Sequence, residues 1–191
     1  MSKFFAFLNR MKYIKRWSLM RSVREENIME HSQEVAVIAH VLALVSNKFY
    51  KNNVDIEKTI LYAQYHEVSE VITGDLPTPI KYFNPEIKTA YKDLEELADK
   101  KILAMLPEEL MGEYEKYVLP DTESYEYKLV KLADRLSAYL KCVEEVKAGN
   151  SEFKKAKATI LADIKSKNSK EAEYFLKNFA PAYELTLDEL D

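Results

Sequence analysis

Three glycines and six prolines in 191 residues leave this chain few places to turn sharply, and that scarcity constrains its fold more than any other feature. Long stretches must be regular. Leu, Glu, Lys and Ala are abundant and 47% of residues are hydrophobic, so the regular structure is the α-helix. The expectation is an all-α chain, folded as a single-domain helical bundle over residues 1–191. It is long enough to bury a core without disulfides, and its one cysteine, Cys142, excludes an internal disulfide and fits a reducing cytoplasm.

A net charge of −4 gives no broad basic footprint for a nucleic acid polymer. Lys12, Lys15, Arg16, Arg21 and Arg24 make only a local positive patch, suited to a phosphate. Near the start, Phe4, Phe5, Phe7, Leu8, Met11 and Ile14 alternate with polar residues in a helical rhythm, which is not a targeting segment. No window reads as long and apolar enough for a membrane, so a soluble, cytoplasmic protein is expected.

In order, a first helix is expected from about Lys3 to Lys15 behind Ser2, and the rhythm then fails over Arg16–Arg21. A second runs from Ile28 or Met29 to Lys48, with Val35, Ile38, Leu42 and Val45 on one stripe and Val37, Val41 and Leu44 on another. Such a helix should be central. A third follows Asp55 and carries on to His66 and Glu70. Asn84-Pro85 opens a scaffold helix ending at Pro107, and a short helix covers Glu108 to Tyr117. Others span Tyr125–Lys147, a segment behind Ser151, and Lys170–Phe179, with a frayed tail around Asp188 and Glu189.

The stretch Tyr65 to Pro79, YHEVSEVITGDLPTP, is where chemistry concentrates. On a helix, His66 and Glu70 stand one above the other with Glu67 on the adjoining strip. Gly74 suits a helix-closing position, and Asp75 leads into a loop with Pro77 and Pro79. His31, on the Val35 and Ile38 stripe, faces the core, whereas His40 lies about half a turn away around the axis and cannot share its site. Asp134 sits on a mostly buried stripe and needs a partner. His31, His66, Glu67 and Asp134 thus bring two nitrogens and two carboxylates from three helices, a set suited to manganese, cobalt, iron or zinc. Each has an ordinary reading singly: a hydrogen-bonded core histidine, an exposed helix carboxylate.

EHS, YHEVSE and KLADRLSAYLKC together resemble the HD-domain metallophosphohydrolases. NRMKYIKRW, VREENIMEHS and GDLPTPIKYFN resemble more closely the bacterial 5'-deoxynucleotidases of the YfbR type, with a likeness from Phe4 to about Leu190. That resemblance implies an all-helical HD fold, a homodimer, and hydrolysis of deoxyribonucleoside 5'-monophosphates with one divalent metal ion (manganese, cobalt, zinc or similar). It implies His31, His66, Glu67 and Asp134 as metal ligands, the last two also touching substrate, and Glu70 as the catalytic glutamate. Arg16 would orient the phosphate, beside Trp17, and Asp75, Leu76, Pro77 and Thr78 would meet the sugar.

Glu67 departs from the family, which has aspartate there. One more methylene moves a carboxylate by roughly 1.5 Å, against a tolerance of about 0.2 Å in metal distances. Two readings stay open: an active nucleotidase, or a deoxynucleotide-binding protein that Glu67 has deprived of turnover. A binuclear hydrolase of cyclic nucleotides or polyphosphates fits poorly, because only three histidines are present and His40 faces away.

Overall fold

Asn27 starts the helix around which the computed structural model of residues 1–191 is built. Its side chain accepts from the amides of Met29 and Glu30 while Glu30 reaches back to the Asn27 amide, a reciprocal cap that fixes the first turn. The α-helices are α1 (Phe4–Leu8), α2 (Ile28–Tyr50), α3 (Ile56–Tyr65), α4 (Glu70–Thr73) and α5 (Thr78–Lys81), then α6 (Pro85–Leu103), α7 (Glu108–Val118), α8 (Tyr125–Lys147), α9 (Lys154–Ser166) and α10 (Lys170–Asn178). Asp55, Asn84, Ser124 and Ser169 cap α3, α6, α8 and α10 through their side chains. No strand forms, and the sole β feature is one antiparallel bridge between Lys15 and Asn27. The all-α expectation holds.

Two apolar clusters organise the bundle. The larger joins α2, α3 and α8 with α9 and α10, around Val35, Leu42, Val130, Leu136, Leu140 and Ile164. Each such side chain contributes about 1.5–3 kcal/mol on burial. The smaller joins Phe4, Met11, Ile28, Val68, Ile102 and Val118. Ile28 lies three residues before His31, and Val68 two after His66, so packing of the smaller cluster sets where both imidazoles stand.

Several expectations need correcting. The first helix stops at Leu8 and tightens into a 3₁₀ turn over Asn9–Tyr13; Ser2 donates its hydroxyl to the Met105 carbonyl (2.6 Å). α2 is central as expected, although part of its second stripe faces outward, with Val37 60% and Leu44 42% exposed. By length and composition α2 could cross a membrane, contrary to the sequence expectation, but 56% of its apolar window is buried inside the bundle, as in a core helix. The tail is ordered rather than frayed, with Thr186 and Glu189 capping a 3₁₀ turn over Leu187–Glu189.

The connection from Ile14 to Asn27 forms a strap across α8. Arg16 donates its amide to the Glu26 carbonyl (2.9 Å), and Ile28 to that of Ile14 (3.0 Å), closing the strap at its base. Its outer part rests on a buried ion pair: Lys141 Nζ meets Glu145 Oε1 at 2.6 Å, with side chains 6% and 2% exposed. Lys141 also donates to the Arg24 carbonyl, and Glu145 accepts from the amides of Val23 and Arg24 and from Asn150. Burial opposes ionisation of Glu145, but Lys141 and these donors outweigh it and hold its pKa at about 2, against an ordinary 4.5.

Glu145→Ala should therefore leave a buried ammonium unpaired, at a cost of about 3–5 kcal/mol. In a chain of this size that lowers Tm by roughly 10 °C. Because the folded pKa is depressed, the contribution is complete above the unfolded value and is lost as pH falls from 4.5 toward 2. Thermal unfolding of wild type and variant between pH 7 and 2 checks both; curves that coincide at pH 7 would contradict the role of the pair.

Candidate metal centre

The helix that was expected to carry His66, Glu67 and Glu70 together is broken. α3 ends at Tyr65, and the next residues wind more tightly, with amides of Val68, Glu70 and Val71 donating to carbonyls of Tyr65, Glu67 and Val68. Three residues per turn eclipse positions i and i+3, so Glu70 stands beside Glu67 rather than above His66. Gly74 ends α4 at φ 73° and ψ 163°, a torsion pair open to glycine but outside the left-handed helical cap that was expected.

The structure brings His31, His66, Glu67 and Asp134 together, with ligand atoms all within 4.8 Å of one another. The imidazoles form the floor, fully buried at His31 and 1% exposed at the His66 side chain, while Glu67 and Asp134 are 16% and 23% exposed toward the opening. Hydrogen bonding behind the site decides which nitrogens face it. His66 Nδ1 donates to the Ala63 carbonyl at 2.7 Å, leaving the Nε2 lone pair aimed at Glu67 Oε1, 3.2 Å away. That nitrogen is buried and has no hydrogen-bond partner. Ser137 spends its one proton on Glu34 Oε2 (2.6 Å), so its oxygen accepts from His31 Nδ1 (3.0 Å) and bares Nε2 toward Asp134 Oδ1 at 3.1 Å. Burial first, and the nearby Arg16 charge second, lower the His31 pKa and keep the ring neutral. Two bare nitrogens thus face two carboxylates, acceptor against acceptor. A cation satisfies all four, and an imidazole–carboxylate set fits a borderline divalent transition ion.

The flanking charges divide the carboxylates. Burial resists ionisation of Glu67, yet the facing His66 ring, to the extent that it carries a proton, and a hydrogen bond from Glu70 hold its pKa well below the usual range; a cation on the same nitrogens would favour the carboxylate in the same way. Glu70 goes the other way: burial and then the charge of Glu67 push it up to about 11, so it is a neutral carboxyl. Burial also opposes the Asp134 charge, but the facing His31 ring and the Lys131 ammonium lower its pKa.

Arg16 lines one wall, 14% exposed, with Nη2 4.0 Å from Asp134 Oδ1 and Nη1 2.9 Å from Glu26 Oε2. Trp17 packs on Phe153 at 5.3 Å between ring centroids and donates Nε1 to the same Glu26 oxygen at 2.8 Å. Asp75 lies close enough for its charge to act on Arg16 and Glu70. Leu76 and Pro77 are half-buried beside it, and Thr78 is exposed at the start of α5. The loop is held from behind: Tyr91 donates its hydroxyl to the Gly74 carbonyl (2.9 Å), and Lys81 pairs with Glu95 (2.8 Å).

Sequence reading missed Glu26, Glu34 and Lys131, and set Ser137 near the face of Asp134 without giving it a role. The ENIMEHSQE run placed Glu26 and Glu34 near His31, but nothing in it said that either side chain turns toward the site.

A family model described as 5'-deoxynucleotidase YfbR-like matches residues 3–183. The 5'-deoxynucleotidase of Vibrio cholerae is 50% identical over 190 residues, covering 99% of this chain and 98% of that protein. The 5'-deoxynucleotidase yfbR of Photorhabdus temperata is 51% identical over 192 residues, covering 100% and 97%. Among solved structures, an HD-domain phosphohydrolase from Listeria innocua superposes with a TM-score of 0.82 at 24% identity, over 95% of this chain and 88% of that one. A cyanophage S-2L HD phosphohydrolase bound to dA and one catalytic Zn2+ superposes at 0.63 with 19% identity, over 95% and 96%. These likenesses place the fold among the HD phosphohydrolases.

Proposed function

Because this chain belongs to the YfbR-like 5'-deoxynucleotidase family, we propose that its His31–His66–Glu67–Asp134 cluster is where it hydrolyses deoxyribonucleoside 5'-monophosphates to deoxyribonucleosides and phosphate. The observation that carries this assignment is the pair of bare imidazole nitrogens facing two carboxylates. One divalent ion, from manganese, cobalt, zinc and similar metals, would be held by His31, His66, Glu67 and Asp134. When bound it polarises a phosphate oxygen and lowers the pKa of a water toward about 7.

The chain's own groups do the rest. Arg16 fixes the phosphate with the guanidinium edge that Glu26 leaves free, through paired hydrogen bonds that lysine cannot reproduce. Glu70 is protonated because of burial, first, and the charge of Glu67 beside it; in its ionised form its carboxylate oxygen is the group placed to take a proton from water. Asp75 accepts from the sugar 3'-hydroxyl, with Leu76, Pro77 and Thr78 along the sugar. Trp17 and this loop close against C2', which disfavours ribose. Burial and the adjacent Glu67 hold the Asp75 pKa above an ordinary aspartate, while Arg16 opposes them.

The non-catalytic reading is not favoured: relatives about 50% identical over the whole chain are 5'-deoxynucleotidases, and Glu67 Oε1 reaches the cluster despite its extra methylene. Glu67→Asp should accordingly give no gain in turnover or metal affinity. A tenfold gain in either, by phosphate release and metal titration, would show that glutamate impairs the site.

We also read the protein as a cytoplasmic homodimer. The exposed Val37 and Leu44 on α2 support a self-association face, and a buried free thiol at Cys142 suits a reducing compartment. The nucleotidase reading is tested by phosphate release from deoxy- and ribonucleoside 5'-monophosphates after metal stripping and add-back. Metal-dependent release favouring the deoxy series is expected; release without metal, or none with any metal, would overturn it.

A further inference from the structure

Glu26 touches neither the four ligands' common centre nor the expected position of the sugar, yet one of its oxygens holds both residues assigned to the phosphate side. Oε2 accepts from Arg16 Nη1 at 2.9 Å and from Trp17 Nε1 at 2.8 Å. Its backbone carbonyl accepts the Arg16 amide at 2.9 Å, so Arg16 is held at both ends by one residue. The Arg16 guanidinium carbon then lies 5.7 Å from the Trp17 ring centre. Oε1 stands 3.7 Å from His31 Nδ1, directly behind a metal-facing imidazole.

Trp17 needs such a tie. Its φ of 60° is in the left-handed region, where a bulky side chain is strained and persists only if its surroundings over-determine it. Three contacts do so: the Glu26 bond, the Phe153 ring at 5.3 Å, and the Trp17 carbonyl accepting the Met20 amide at 2.8 Å. Arg16 needs one too. A free guanidinium 4.0 Å from Asp134 could fold onto that carboxylate and compete for the ion; with Nη1 anchored on Glu26, the outer edge stays turned to the opening.

Glu26, His31 and Glu34 also satisfy the distance requirement for a second metal cluster. Their hydrogen bonds argue otherwise, because Glu26 Oε2 already takes two donors, Glu34 Oε2 takes the Ser137 hydroxyl, and His31 Nδ1 donates to Ser137. We propose that Glu26 is a positioning residue that fixes the Arg16 guanidinium and the Trp17 indole as one substrate-facing unit. It acts on catalysis only through them. This rests on the assignment of Arg16 and Trp17 to the substrate.

Trp17 is the sole tryptophan, so its fluorescence reports on the tie without any turnover. Glu26→Ala should shift its emission to the red in the substrate-free protein and lower kcat/KM for a deoxynucleoside 5'-monophosphate on the order of 10²-fold. Metal stoichiometry should stay at one. In an Arg16→Ala background the same change should cost less than about threefold further, because its effect runs through Arg16. Glu26→Gln, equal in volume, serves if the alanine variant does not fold, and should lose less because a neutral acceptor remains. Unchanged Trp17 emission, or losses that multiply fully in the double variant, would overturn the positioning role; so would a drop in bound metal, which would make Glu26 a ligand. A wild-type protein that releases no phosphate would count against the functional reading alone, since the emission shift tests the tie by itself.

Discussion

Asp134→Ala is expected to abolish turnover and to weaken metal binding on the order of 10²-fold or more, while leaving the metal-free protein folded. Asp134 supplies one of only two carboxylates in the cluster and directly faces the bare Nε2 of His31. Without it, two imidazoles and Glu67 are left to hold the ion, with less negative charge to offset it. Stability should hardly suffer. His31 is neutral, so no buried charge is stranded, and Arg16, which lies 4.0 Å from Asp134, keeps its closer partner Glu26 at 2.9 Å. Calorimetric metal titration and thermal unfolding of the same samples check the two halves. Metal affinity equal to wild type would remove Asp134 from the ligand set, and a large fall in Tm would make it a structural residue.

Glu70→Gln should lower kcat by roughly 10²–10⁴-fold, with KM and metal stoichiometry close to wild type. The substitution suits the local electrostatics. Glu70 is protonated beside Glu67, with a pKa of about 11, and its hydrogen bond helps to keep Glu67 ionised. A glutamine amide donates in the same way and fills the same buried space, so the resting geometry survives. An amide cannot accept a proton from water. The loss should therefore fall on kcat, whereas a Glu70 that merely braced the site would shift metal affinity and KM together. Steady-state kinetics at saturating metal separate the two, and an unchanged kcat would exclude Glu70 from proton transfer.

The convergence of His31, His66, Glu67 and Asp134 was legible because inward positions of helices make a polar residue costly unless it binds something. His31 lies on the Val35 and Ile38 stripe, and Asp134 among the buried residues of α8. The break after Tyr65 was not legible, since HEVSEVIT keeps a helical rhythm whether the chain winds at 3.6 or three residues per turn. Only the amide partners of Val68, Glu70 and Val71 reveal it, and with it the pairing of Glu67 and Glu70. Glu26 was hidden for another reason: it belongs to a strap with no periodicity, and meets Arg16 and Trp17 only after closure between Lys15 and Asn27. Lys141 and Glu145 look like an ordinary surface pair four residues apart, yet folding buries both under the strap. The central place of α2 was legible from its two apolar stripes, but hydrophobicity all round a helix does not say which faces the same chain covers.

The most direct test of a single-ion site is a cobalt titration of metal-stripped protein, with phosphate release from a deoxynucleoside 5'-monophosphate followed at each addition. Activity should rise linearly and stop at one ion per chain, with release from the matching ribonucleotide staying far lower. A break at two ions per chain, or activity already present before any cobalt is added, would contradict a one-metal centre built from His31, His66, Glu67 and Asp134.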